Sequence, residues 1–137
     1  MEFEGEYLNG KRWKGIAKEY NFNGKILFEA KYLNGVKIGK VKEYYNNDVI
    51  YLEWESLNGI KNGKLIKYER DKKIEFEGEY LNDELNGKVK KYYFGKLQFE
   101  GEYLNGKKYG KVKKYFYGKD YDKLRFEGEY LNWKNGI

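Results

Sequence analysis

The feature that most constrains this chain is that it repeats. FEGEYLNG begins at Phe3 and returns as FEAKYLNG at Phe28, LEWESLNG at Leu52, FEGEYLND at Phe76, FEGEYLNG at Phe99 and FEGEYLNW at Phe126. A second string alternates with it: GIAKEY at Gly15, GKVKEY at Gly39, GKLIKY at Gly63, and GKVKKY at Gly87 and Gly110. The period is 23 to 27 residues, and the sixth copy stops at Ile137. A short period specifies units that each pack on their neighbours, so the 137 residues require no single large core.

Both strings alternate with period two and are rich in Phe, Tyr and Val, the pattern of strands. Turn signals separate them, the Asn-Gly of LNG on one side and pairs such as Asn23-Gly24 or Asn47-Asp48 on the other. With FEGEY as strand A and GKVKKY as strand B, the expected fold is all-β. It is an elongated, single-sheet antiparallel meander of about 11 strands, one array over residues 1–137 with units starting near 3, 28, 52, 76, 99 and 126. Composition agrees. Mean hydropathy is −1.00 and 36% of residues are charged, which argues against an aliphatic core, but 16 Tyr and 8 Phe argue against disorder.

The register of each B-to-A hairpin follows from its charges. Pairing outward from Asn23-Gly24 as a two-residue turn sets Lys18 against Glu29, Ala17 against Ala30, Ile16 against Lys31 and Gly15 against Tyr32. The same frame gives Lys42–Glu53, Lys40–Glu55, Lys64–Glu79, Lys88–Glu102, Lys90–Glu100, Lys111–Glu129 and Lys113–Glu127. Each opposed pair is worth about 0.2–1 kcal/mol. Where Lys31 replaces the usual Glu, Ile16 replaces the Lys facing it, so a like-charge pair is avoided.

One face is therefore a Glu/Lys ladder. The other carries Phe and Tyr from strand A, the aliphatic residue of strand B, and glycines. Gly63, Gly87 and Gly110 face Tyr80, Tyr103 and Tyr130, which suggests a ring lying over each glycine. In the third copy Trp54 takes the glycine position of strand A while Ser56 takes the tyrosine position, a repacking on that same face.

At FEGEYLNGKKYGKV, Phe99 to Val112, the pattern resembles the MORN repeat: aromatic-x-Gly-x-aromatic, Asn-Gly-Lys, then spaced glycines. The resemblance covers essentially the whole chain and is closest to the degenerate variants of that family. GKV stands where many copies have GxG, and Tyr109, Ile38 or Lys14 stands where the family often has His. It implies a twisted meander used for scaffolding and protein contacts, with phosphoinositide binding proposed for some members and accessory, antitoxin-like settings for others.

Catalytic chemistry finds little to work with. The Glu-x-Glu pairs, Glu77/Glu79, Glu100/Glu102 and Glu127/Glu129, could serve acid–base catalysis or a hard cation, but each recurs opposite Lys and reads as half of the ladder. Ser56 has no histidine to activate it, and Cys and Thr are absent. No phosphate-cradling glycine motif occurs. The expectation is a non-enzyme without cofactor or metal.

For binding, two surfaces stand out. One is the aromatic face, through Phe76, Tyr80, Phe99, Tyr103, Phe126 and Tyr130, offered to a protein partner. The other is the set of basic A-to-B turns, Lys11, Arg12, Lys14, Lys107 and Lys108, which would favour anionic lipid. Nucleic acid ranks below both, because a net charge of +6 is dilute over a long sheet and only three arginines are present. The last A strand, Arg125–Leu131, leaves an edge that could pair two chains as a homodimer. Without cysteine, an apolar leader or a bilayer-length run, the chain reads as soluble, intracellular and cytoplasmic.

Overall fold

The computed structural model describes residues 2–117 and 123–130. Its strands are β1 (Glu2–Leu8), β2 (Lys11–Tyr20), β3 (Ile26–Leu33), β4 (Val36–Tyr44), β5 (Ile50–Leu57) and β6 (Ile60–Tyr68). They continue as β7 (Ile74–Leu81), β8 (Glu84–Tyr93), β9 (Lys96–Leu104), β10 (Lys107–Tyr117) and β11 (Lys123–Tyr130). All eleven form one antiparallel sheet in sequential order, β1 through β11. At ~4.8 Å per step the array extends on the order of 50 Å.

The A-to-B turns have the backbone that their sequence requires. In Asn9-Gly10, Asn34-Gly35, Asn58-Gly59 and Asn105-Gly106 both central residues have positive φ, the geometry of the two-residue turn that follows strand twist. Asn82-Asp83 holds the same form at φ 50° and 67° without glycine. Successive turns are tied together. The amides of Gly35, Gly59, Asp83 and Gly106 donate to the carbonyls of Trp13, Lys37, Lys61 and Leu85, one repeat back.

The B-to-A turns correct the sequence reading. Asn23-Gly24 is not a two-residue turn: the Asn21 amide donates to Lys25 O at 2.8 Å, closing a three-residue loop with Gly24 at φ 78°. Tyr45–Val49 and Glu69–Lys73 close in the same way. A bulge then steps Tyr20↔Ile26 to Glu19↔Phe28, and matching shifts follow Glu43 and Lys67. The longer loop and the bulge cancel, so every expected pair from Lys18↔Glu29 to Lys113↔Glu127 holds.

In the first A-to-B hairpin, β1–β2, the register shifts by one residue between Glu6 and Tyr7; in the four that follow it slips instead by two. Lys31 faces Ile38 while Glu29 faces Lys42, and the same step occurs beside Gly63, Gly87 and Gly110. An even slip leaves each side chain on its own face. At the slip Gly39, Gly63, Gly87 and Gly110 take φ 67°, 116°, 116° and 73°. A Cβ at Gly63 or Gly87 would collide with the carboxylate of Glu55 or Glu79, whose Cβ atoms lie 3.3 and 3.2 Å from the site. The expected tyrosine stacking is therefore not what requires glycine here.

A ring does lie over glycine, but on strand A. A Cβ on Gly78 would meet Phe76 Cζ at 3.0 Å, and one on Gly101 would meet Phe99 Cζ at 3.1 Å. The buried line runs along the middle of the B strands, through Ala17, Val41, Leu65, Val89 and Val112, joined by Ala30, Phe99 and Tyr115. The edge expected to pair two chains, Arg125–Leu131, runs past the described residues at 131.

Candidate functional site

On the aromatic face the rings pack on this core. Phe99 is 6% exposed and clusters with Val89 and Val112, against which Phe76, Leu85 and Tyr103 also pack. Phe76, Tyr80 and Tyr103 are half-buried. For Phe126 and Tyr130 the structure describes the main chain alone, opposite Lys114 and Gly110.

Cations cover these rings at one recurring position, two residues after each turn glycine. Arg12 lies 5.6 Å from the centres of both Phe3 and Tyr32, Lys37 4.9 Å from Phe28, and Lys108 5.2 Å from Phe99. Lys61 bridges Trp54 and Tyr80 at 5.7 and 5.8 Å. Leu85 occupies the fourth equivalent place and packs on the core instead. Such contacts are worth about 0.5–1 kcal/mol at exposed sites. Two of the five turn cations singled out from sequence, Arg12 and Lys108, are thus engaged with rings, while Lys11, Lys14 and Lys107 are exposed. The signal that sequence reasoning passed over was positional: a cation recurs two residues after the turn glycine, within reach of the strand A rings.

Trp54 and Ser56 share the aromatic face as expected. Ser56 is buried at 6% and its hydroxyl donates to Lys37 O at 2.8 Å; the Trp54 indole donates to Glu43 Oε2 at 3.2 Å. A third residue belongs to the exchange. Leu52 stands where other copies have the Phe whose ring covers the glycine, which leaves room for Trp54.

The charged face differs from a plain ladder. Lys18–Glu29, at 3.7 Å, is the one directly opposed ladder pair within 4 Å among the described residues. Lys64 instead reaches diagonally to Glu77 at 3.8 Å. In three copies the first Glu of the motif accepts a tyrosine hydroxyl from the following strand: Tyr68 to Glu53 at 2.8 Å, and Tyr92 to Glu77 and Tyr115 to Glu100, each at 2.5 Å. Burial, then the hydrogen bond and charge of the glutamate, push Tyr68 and Tyr92 up to about 12. The clue in the sequence was parity. Lys64, Ile66 and Tyr68 alternate onto one face, so the final tyrosine of strand B belongs with the glutamates.

An open depression of about 350 Å³ lies on this face between Lys88, Lys90, Glu100, Glu102, Lys111 and Lys113. Its floor at Val89 and Gly101 is main chain, so it has no apolar pocket beneath it.

One stretch breaks the pattern. In later copies the residues across the face near the turns read Lys40–Glu55–Asn62, Lys64–Glu79–Asn86 and Lys88–Glu102–Tyr109. The earliest such row reads Ile16–Lys31–Ile38, with Lys31 paired to an isoleucine on either side. Ile16 is 47% exposed; Leu33, two residues along β3 from Lys31, is 40% exposed, and Leu8, at the turn end of β1, 46%. Both leucines belong to a series at the turn edge, continued by Leu57, Leu81 and Leu104 at 53%, 48% and 40%.

Among the described residues no group of three or more His, Cys, Asp or Glu is arranged to hold a metal, and no helix is long and apolar enough to cross a membrane. No protein-family model matches the chain, and no curated protein matches it.

Proposed function

We propose that this chain is a MORN-like, non-enzymatic interaction module that holds a protein partner against an extended sheet. The observation that carries this reading is the outward-facing leucine of every described LN turn, Leu8, Leu33, Leu57, Leu81 and Leu104, each 40–53% exposed. Exposed apolar side chains repeated along one edge, rimmed by charged residues such as Lys11, Glu84 and Lys107, suit an interaction surface. The groups best suited to chemistry have other tasks: Glu53, Glu77 and Glu100 accept tyrosine hydroxyls, and Ser56 donates to the main chain. The aromatic rings first expected to meet a partner contribute as the packed layer that keeps the sheet rigid, with their accessible rims adding to the surface.

The test is capture from a lysate of the source cells, followed by reconstitution of any captured protein with the purified array. A stable complex of defined stoichiometry on size exclusion supports the module. If the array instead sediments only with acidic vesicles, and neutral variants of Lys11, Lys14 and Lys107 abolish this, the anionic-lipid reading replaces it.

A further inference from the structure

We infer that the apolar patch centred on Lys31 is a docking site for an acidic, amphipathic segment of a protein partner. This rests on the interaction-module reading and names one surface and one partner chemistry for it.

Four side chains of the charged face meet there. Ile16 and Ile38 pair with Lys31 from β2 and β4, and Leu33 stands two residues along β3 on the same face. Leu8 continues the edge on β1. Avoidance of a like-charge pair accounts for Ile16 once Lys31 is in place, but not for Lys31 itself, nor for Ile38. Ile38 also gives up a structural role. Its equivalents Asn62 and Asn86 accept hydrogen bonds from the amides of Asn82 and Asn105, steadying the next turn at 3.4 and 3.2 Å. An isoleucine cannot accept one. The array therefore forgoes a polar contact and exposes aliphatic surface at the same place, the kind of local departure expected of functional sites.

Charge selects the occupant. The A-to-B segments 6–16, 31–40, 55–64, 79–88 and 102–111 hold twelve Lys and Arg and six acids, against 28 and 22 in the whole chain, so they carry its entire net charge of +6. The first three segments alone carry +6, eight cations against Glu6 and Glu55, while 79–88 at −2 and 102–111 at +2 cancel. The isoleucine patch lies within the basic three. Lys31 is exposed and has no carboxylate within 4 Å among the described residues, so a carboxylate from outside can pair with it where flanking isoleucines exclude water. A second copy of this chain would bring the same positive edge and be repelled. A flat bilayer fits poorly too, because sheet twist, roughly 20–25° per strand, turns successive leucines away from a common plane. A peptide segment can follow that winding. A helix matches it in spacing, since two strands advance ~9.6 Å and a heptad ~10.5 Å.

The probe is a fluorescent 21-residue helical peptide with leucine at heptad spacing and glutamates beside it, with a second peptide carrying lysine for each glutamate. The decisive variant is Ile16→Lys, Lys31→Glu and Ile38→Asn together, which restores the row found in the later copies. Because it restores the repeat, its melting temperature should equal or exceed that of the parent. The acidic peptide should bind the parent at least tenfold more tightly than it binds this variant, and the lysine peptide should bind neither. The single variant Lys31→Gln should weaken binding several-fold without a change in melting temperature. Equal binding of the acidic peptide to parent and triple variant, or equal binding of both peptides to the parent, would overturn the site. So would a triple variant that melts lower, since the patch would then belong to the fold. If a protein partner captured by the parent is retained by the triple variant, the site is lost while the module reading stands.

Discussion

Phe99 and Glu100 are adjacent in the chain and lie on opposite faces of one strand, and they are held in different ways. Phe99 is buried among Val89, Val112 and its own Gly101, with Lys91 and Lys108 over its ring. Glu100 accepts the Tyr115 hydroxyl and borders an open, solvated depression. The aromatic face is stabilised by area removed from water, the charged face by directional bonds whose groups could otherwise bond to water. A one-layer sheet has no second layer to cover its core, so the rings cover it, and cations on flexible stems cover the rings.

The sharpest way to break this asymmetry is to compare those neighbours. Phe99→Ala should destabilise by about 3–5 kcal/mol, as for a lost buried aromatic. Glu100→Gln, which keeps an acceptor for Tyr115 but removes its charge, should cost about 1 kcal/mol. Urea denaturation of both variants measures the gap; equal losses would mean that the two faces contribute alike.

A smaller effect tests whether ring area on the aromatic face is interchangeable between positions. Trp54→Gly should cost about 2 kcal/mol, less than a fully buried aromatic because Trp54 is only half-buried. Leu52→Phe added to it rebuilds the Phe-over-Gly arrangement of the other copies and should recover about half. A double-mutant cycle reads the coupling directly. Additive effects would separate Leu52 and Trp54 into independent sites.

The smallest effect belongs to the charged face and is visible at high pH. Tyr68 and Tyr92 are pushed up to about 12, chiefly by burial and then by Glu53 and Glu77. A tyrosine with a folded pKa above its unfolded value of about 10 contributes stability in full below pH 10, lost as pH rises through 12. Thermal melts should therefore fall off between pH 10 and 12, and Tyr92→Phe should make that fall shallower. An unchanged alkaline profile would show that Tyr92 ionises as freely in the fold as outside it.

The candidate site was legible in part. Lys31 and Ile16 were visible as a paired departure from the repeat, because facing residues follow from the hairpin frame. Ile38 joins them only across the A-to-B slip, whose extent no turn signal announces. The basic turns were legible as composition, but Arg12 and Lys108 are withdrawn over rings that only the folded sheet brings beneath them.

By itself the sequence determined strand identity, strand order, facing charges and the side of the sheet each residue takes. All of these rest on period-two alternation and turn chemistry, which act over a few residues. The three-residue loops escaped it because each is cancelled by a bulge, leaving the register unchanged. Tertiary structure alone decided which partner each side chain takes. Tyr92 reaches Glu77 fifteen residues earlier, Lys64 turns diagonally, and Lys61 bridges rings of two repeats. Periodicity specifies the face on which a side chain stands, but long side chains choose among several neighbours within reach, and that choice depends on how the bulges and twist set the strands beside one another.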